Sequence, residues 1–151
     1  MLDVFSRPDM NATEVEHAVR ETDARAAKSL EAAEDTMLNG PVQGGVFREL
    51  RHISAQLMGQ HPFSVHPIGG IVPVMEQQRY KEYAKIMMAT LPLLPPNRPV
   101  HMFGCGHPML FPMSIALGAD LFDSAAYALF ARDGRLLTPW GTERILSLIH
   151  I

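Results

Sequence analysis

A carboxylate placed where a short apolar strand stops is the group in this chain best suited to chemistry. Asp123 sits near the end of Gly118-Ala-Asp-Leu-Phe-Asp-Ser124, after an apolar stretch at 100–103, a Gly-x-Gly turn at Gly104 and Gly106, and a helical segment. In parallel α/β architectures helices cover the sheet faces, so ligands are met at the carboxyl ends of strands. Asp123 is therefore the first candidate for chemistry. Asp120 lies three residues earlier and points to the opposite face of an extended strand, so only one of the two can look onto the rim. Cys105 also lies in a strand-end turn, but no general base is identifiable beside it, and a small residue suits the turn. His66, His101 and His107 would suggest a strand-end metal site. None falls in a His-x-His or His-x-x-x-His pattern, so they are read as structural and no metal is expected.

The elements that must position Asp123 follow from periodicity. Residues 2–5 read as the end of a strand, closed by Arg7-Pro8-Asp9. Thr13 and Glu16 have capping-box spacing, and Val15, Ala18, Val19, Thr22, Ala26, Leu30 and Ala33 recur at helical steps, predicting a long helix that stops near Asn39-Gly40. A very short strand at 41–45 precedes a second helix with Val46, Leu50, Ile53 and Leu57 on its buried stripe. A strand at 63–68 and one helix over about 74–89 come next, and the proline-rich stretch 91–99 resets the chain for the strand at Val100. Strands and helices alternate with no hairpin signal between strands, which argues for parallel β/α units. Glycines follow three successive strand ends, at Gly44 and Gly45, Gly69 and Gly70, and Gly104 and Gly106. They suit a shared rim where backbone approaches a ligand closely.

Composition bounds the reading. The 151 residues suffice for one domain with a sizeable core and are too few for a closed (β/α)8 barrel of about 250 residues. The chain is 47% hydrophobic and 19% charged, with net charge −3, so it lacks the global basic field of many nucleic-acid-binding domains. Its single cysteine rules out an internal disulfide or a multi-cysteine zinc site and fits a reducing cytoplasm. No export signal and no apolar run of about 18 residues is present, so no membrane association is expected. The methionine-rich positions Met87, Met88, Met102, Met109 and Met113 read as core filler.

Four ordered motifs carry a resemblance. They are Val42-Gln43-Gly44-Gly45, His66-Pro67-Ile68-Gly69-Gly70-Ile71-Val72-Pro73, His101-Met-Phe-Gly-Cys-Gly-His-Pro108, and Gly118-Ala-Asp-Leu-Phe-Asp-Ser-Ala125. Together the chain resembles the tRNA-guanine transglycosylases. Tyr127-Ala-Leu-Phe-Ala-Arg-Asp-Gly-Arg135, followed by Leu137-Thr-Pro139, is closer to the archaeal, archaeosine-forming branch than to the bacterial queuosine branch.

The resemblance implies an irregular (β/α)8 barrel that exchanges guanine in tRNA for a 7-deazaguanine base, preQ0 in the archaeal branch. By resemblance Asp123 is the nucleophile that attacks C1′ of the target ribose. Asp3 accepts hydrogen bonds from the N1–H and exocyclic amine of the purine. Gln43, Gly69 and Gly70 hold the base's other edge, Phe103 packs on the ring, and Arg132 and Arg135 contact tRNA phosphates. The expected fold is α/β, a partial (β/α)8 TIM barrel of about the last four to five β/α units over residues 1–145, with 146–151 a non-native tail. The family's first barrel half, its second active-site aspartate, its cysteine-rich zinc site and its accessory RNA-binding domains have no counterpart here. No cofactor is therefore expected in this chain, and it is expected to be inactive alone and part of a longer cytoplasmic parent that forms a homodimer. Two competing readings are a non-catalytic subunit that docks tRNA for a partner and, more remotely, a metal-dependent barrel hydrolase.

Overall fold

The computed structural model describes residues 2–145. The tail proposed for 146–151 lies outside them. The chain forms a mixed α/β fold with α1 (Ala12–Glu31), α2 (Arg48–Gln60), β1 (His66–Ile68), α3 (Val72–Glu76), α4 (Tyr80–Thr90), β2 (Val100–Met102), α5 (Phe111–Ala116), β3 (Leu121–Phe122), α6 (Ala126–Arg132), β4 (Arg135–Thr138) and β5 (Gly141–Arg144).

Strands β1, β2 and β3 make a parallel sheet in that order, with His66 opposite Val100, His101 opposite Leu121 and Met102 opposite Phe122. The segment before α2 runs parallel to β1 through two isolated bridges, Asn39 to Val65 and Val42 to Ile68. It is not a continuous strand. Pro41 and Pro67 have no N–H to donate to a ladder, so the pairing is carried by neighbours such as Val42 N–H to Pro67 O at 2.7 Å and Gly69 N–H to Val42 O at 3.0 Å. The parallel alternation expected from the sequence holds across this sheet. Ile68, Met102, Val42, Phe63 and Tyr83 fill the core between the sheet and helices α2 and α4.

Several boundaries differ from the sequence reading for identifiable reasons. The first helix is capped by Asn11 and Glu14, which form a complete capping box, rather than by Thr13 and Glu16. It ends at Glu31, short of the expected stop: Glu34 has a φ of +48°, outside the helical range, and Asn39 and Val42 are taken up in bridges to Val65 and Ile68. Its buried residues, Val15, Ala18, Val19, Thr22 and Ala26, are the ones the spacing selects. Residues 2–5 form no strand; Val4 N–H instead donates to Thr22 Oγ1 at 2.9 Å, lashing the segment to α1. The expected helix over 74–89 is split into α3 and α4 at Gln78, whose φ of +56° is outside the helical range. Helix α2 is rotated from the anticipated stripe, so that Arg51, Ser54, Ala55 and Met58 face inward with Leu50.

Strands β4 and β5 form an antiparallel hairpin, Arg135 opposite Arg144 through Thr138 opposite Gly141. The sequence reading anticipated no hairpin. Its loop is the pair Pro139 and Trp140, which lacks the Asn-Gly or Asp-Gly signature of tight hairpin turns.

Candidate active site

The parallel register brings the carboxyl ends of four chain segments to one edge. Gln43 follows the Val42 bridge, Gly69 and Gly70 follow β1, Phe103 and Gly104 follow β2, and Asp123 follows β3. Neighbouring strands lie about 4.8 Å apart, so the ends of β1 and β3 stand about 10 Å apart across β2.

At the β1 side, Gln43 is 1% exposed and its side-chain amide is fully oriented. Its oxygen accepts from Ser6 N–H at 3.2 Å, and its nitrogen donates to Asp3 Oδ2 in a short contact. Those two partners fix which end of the amide is which. Its backbone N–H donates to Ser54 Oγ at 3.0 Å. Gly69 and Gly70 are glycines because this cluster presses on them. A Cβ on Gly69 would overlap the Gln43 amide, lying 2.8 Å from Cδ, and one on Gly70 would lie 2.8 Å from Ser6 O at a φ of +72°. The structure thus brings Asp3, Gln43, Gly69 and Gly70 together.

Beneath them lies Arg51, which the sequence reading did not single out. It is fully buried and donates to three backbone carbonyls, Gly45 O at 2.8 Å, Val42 O at 3.2 Å and Gly69 O at 2.9 Å. Burial pulls its guanidinium down to about 9, still above neutrality, and the three carbonyls compensate the lost hydration. One cation thereby clamps the 42–45 turn to the end of β1. An arginine between Leu50 and Ile53 on a helix otherwise reads as surface charge.

At the β3 side, Asp123 is half exposed and held by two donors on one oxygen. Gly104 N–H reaches Oδ1 at 2.9 Å, and His101 Nε2 lies 2.9 Å from the same atom. Gly106 permits this, since a Cβ there would collide with Ser124 and push the end of β3 away from the 104–106 turn. The turn is anchored from below: Tyr83 Oη bonds Ser114 Oγ at 2.6 Å and lies 3.8 Å from Cys105 Sγ. Burial pushes the Cys105 thiol and the Tyr83 hydroxyl up, so both stay protonated, and Cys105 is a buried packing group. Asp120 is committed elsewhere, with its Oδ2 accepting from Val100 N–H at 2.8 Å.

A cavity of 490 Å³ opens beside Asp123, walled by Val72, Gly104, Ser124, Phe130 and Arg135 among others. Phe103 is 56% exposed at its rim side of β2, with its ring edge-on to His101 at 5.6 Å. Arg135 stacks 3.7 Å over the Phe130 ring and pairs with Asp133 at 2.6 Å, while Arg132 is exposed on the last turn of α6. The three histidines do not converge. His66 Nδ1 faces Gly40 O, His101 faces Asp123 and His107 Nε2 faces Thr142 Oγ1; among the described residues no cluster of His, Cys, Asp and Glu is arranged to hold a metal ion. No described helix is long and apolar enough to cross a membrane.

One carboxylate backed by an amide and glycines, and a second presented beside a cavity on the same rim, make this an α/β protein whose polar groups gather at the carboxyl ends of its parallel strands. The family model described as queuine tRNA-ribosyltransferase matches residues 1–150, and the chain belongs to that family. Among curated relatives, the tRNA-guanine(15) transglycosylase of Methanococcus vannielii is 49% identical over 98% of this chain and 23% of its own length. Those of Methanocaldococcus jannaschii and Pyrococcus furiosus are 48% and 43% identical, over 94% and 97% of this chain and 22% and 25% of their own lengths. The chain thus spans about a quarter of the length of the curated relatives it matches.

Proposed function

We propose that this chain is the nucleophile-bearing segment of an archaeal-type enzyme that exchanges guanine in tRNA for preQ0. The observation that carries the reading is the placing of Asp3–Gln43 and Asp123 on one rim, in a chain whose relatives are named tRNA-guanine(15) transglycosylases. A nucleoside lying across the rim puts its base over Asp3, whose acceptor-only carboxylate suits the N1–H and amine of guanine. Its ribose then reaches Asp123. Asp123 attacks C1′ as the bond to the guanine N9 breaks, the electron pair leaving with the base; N9 of the incoming base then displaces the carboxylate. The proton taken up by guanine and the one given up by the incoming base balance over the exchange.

In this reading Gln43 orients Asp3, Gly69 and Gly70 leave room for that contact, and Phe103 stacks on the ring from the exposed rim. Arg132 and Arg135 supply local positive charge for tRNA phosphates on a chain that is acidic overall. The parallel sheet is part of a (β/α)8 barrel completed by the rest of a longer, homodimeric, cytoplasmic protein, and the segment alone is inactive.

The test is a labelled-guanine exchange assay on a chimera in which this chain replaces the matching segment of the M. vannielii relative. Asp123→Ala is expected to abolish both exchange and the covalent RNA adduct. Exchange that survives the substitution sinks the nucleophile assignment, and exchange by the isolated chain sinks the requirement for the remainder.

A further inference from the structure

We infer that His101 is a positioning residue that fixes which oxygen of Asp123 reacts, an inference that rests on the nucleophile reading above. His101 pairs with Leu121 across the β2–β3 ladder, and Asp123 lies two residues beyond Leu121. Side chains two apart on a strand share a face, so register alone brings His101 and Asp123 to the same side. The imidazole is packed in place, its side chain 16% exposed with Phe103 edge-on to the ring, whereas the Asp123 side chain is 52% exposed. A fixed donor therefore holds an accessible acceptor.

Both donors, His101 Nε2 and Gly104 N–H, meet Oδ1 at 2.9 Å. Neither engages Oδ2. With its χ rotation pinned by two bonds on one atom, the carboxylate presents Oδ2 as the oxygen free to bond C1′. Once the ester forms at Oδ2, Oδ1 becomes its carbonyl oxygen and keeps the same two donors. When the incoming base breaks the Oδ2–C1′ bond, the electron pair returns to the carboxylate and negative charge grows on Oδ1 as well. Donors already in place stabilise that charge without reorganisation. His101 thus assists formation of the covalent intermediate by orienting Oδ2 and its breakdown by stabilising the returning charge on Oδ1, while touching neither base. The geometry requires the tautomer with hydrogen on Nε2.

The chimera carrying His101→Leu is expected to lose about 10- to 100-fold in kcat, the worth of one hydrogen bond to a charged group, with KM for tRNA little changed. His101→Gln, whose amide N–H can occupy the place of Nε2–H, is expected to recover most of that loss. A kcat within twofold of the parent for His101→Leu, or Gln performing no better than Leu, overturns the inference. Asp123→Ala runs alongside: its full activity would remove the nucleophile reading, whereas its inactivity together with an unaffected His101→Leu would remove only the role of His101. A check that needs no substitution is long-range 1H–15N NMR on the folded chimera, where His101 is expected as the Nε2–H tautomer. An Nδ1–H tautomer overturns the proposal.

Discussion

Gln43 and Gly69 are fitted to each other so closely that no side chain can be added to the glycine without displacing the amide. The amide in turn holds Asp3 and Ser6, so the glycine is a condition for the polar cluster at the end of β1. Gly69→Ala is expected to destabilise the chain by about 1–3 kcal/mol, the usual cost of overpacking a closed site. In a Gln43→Ala background the same change should cost much less, because the clashing atoms are gone. Denaturant unfolding of the four variants measures that coupling, and strict additivity would show that the glycine serves the backbone alone.

Arg51 ties together the 42–45 turn and the end of β1 through three carbonyls. Replacing it by Met leaves Gly45 O and Gly69 O without donors, at about 1–3 kcal/mol each, while Val42 O keeps the Gly69 N–H, so a loss of at least about 2 kcal/mol is expected in chemical denaturation. Arg51→Lys should rescue little, because an ammonium cannot present a planar fork to three carbonyls. A loss below about 1 kcal/mol would mean that the turn relaxes to satisfy itself.

His66 supplies an acid-sensitive element. It is fully buried, its Nδ1 faces Gly40 O at 3.2 Å, and its Nε2 has no partner among the described residues. Burial lowers its pKa below the ordinary 6.5, an effect the Gly40 carbonyl opposes and nearby Arg98 reinforces. The folded state therefore binds the proton less readily than the unfolded chain. That contribution is present above about pH 6.5 and is lost as pH falls through the lowered value. Stability should decline on acidification below neutrality, and His66→Gln should flatten the decline; unfolding curves from pH 7.5 to 5 are the measurement, and identical slopes would exclude His66 as the cause.

The sequence made the architecture of the site plain where periodicity and punctuation agree. The parallel alternation, the buried stripe of α1, the glycines at 44–45, 69–70 and 104/106, and the opposite facing of Asp120 and Asp123 can all be read from spacing. What spacing hides is long-range polar chemistry. Arg51 sits 18 residues from Gly69, and Gln43 sits 40 from Asp3, so neither clamp leaves a local pattern. His101 was read as structural because no histidine motif surrounds it; its partner lies across a strand ladder, 22 residues on. The β4–β5 hairpin escaped because Pro139 and Trp140 carry no common turn signature, and the break at Gln78 because helical residues flank it on both sides.

That hairpin loop has a practical consequence for optical work on this chain. Trp140 is the sole tryptophan, is 76% exposed, and donates its indole N–H to Glu143 Oε1 at 3.1 Å within the same hairpin. Intrinsic fluorescence excited at the indole band therefore reads the environment of β4 and β5 and is nearly blind to the core around Tyr83 and Ile68. Solvent quenchers should reach it freely in the native state. Unfolding of the parallel sheet is better followed by circular dichroism, with the indole kept as a separate local reporter beside the cavity.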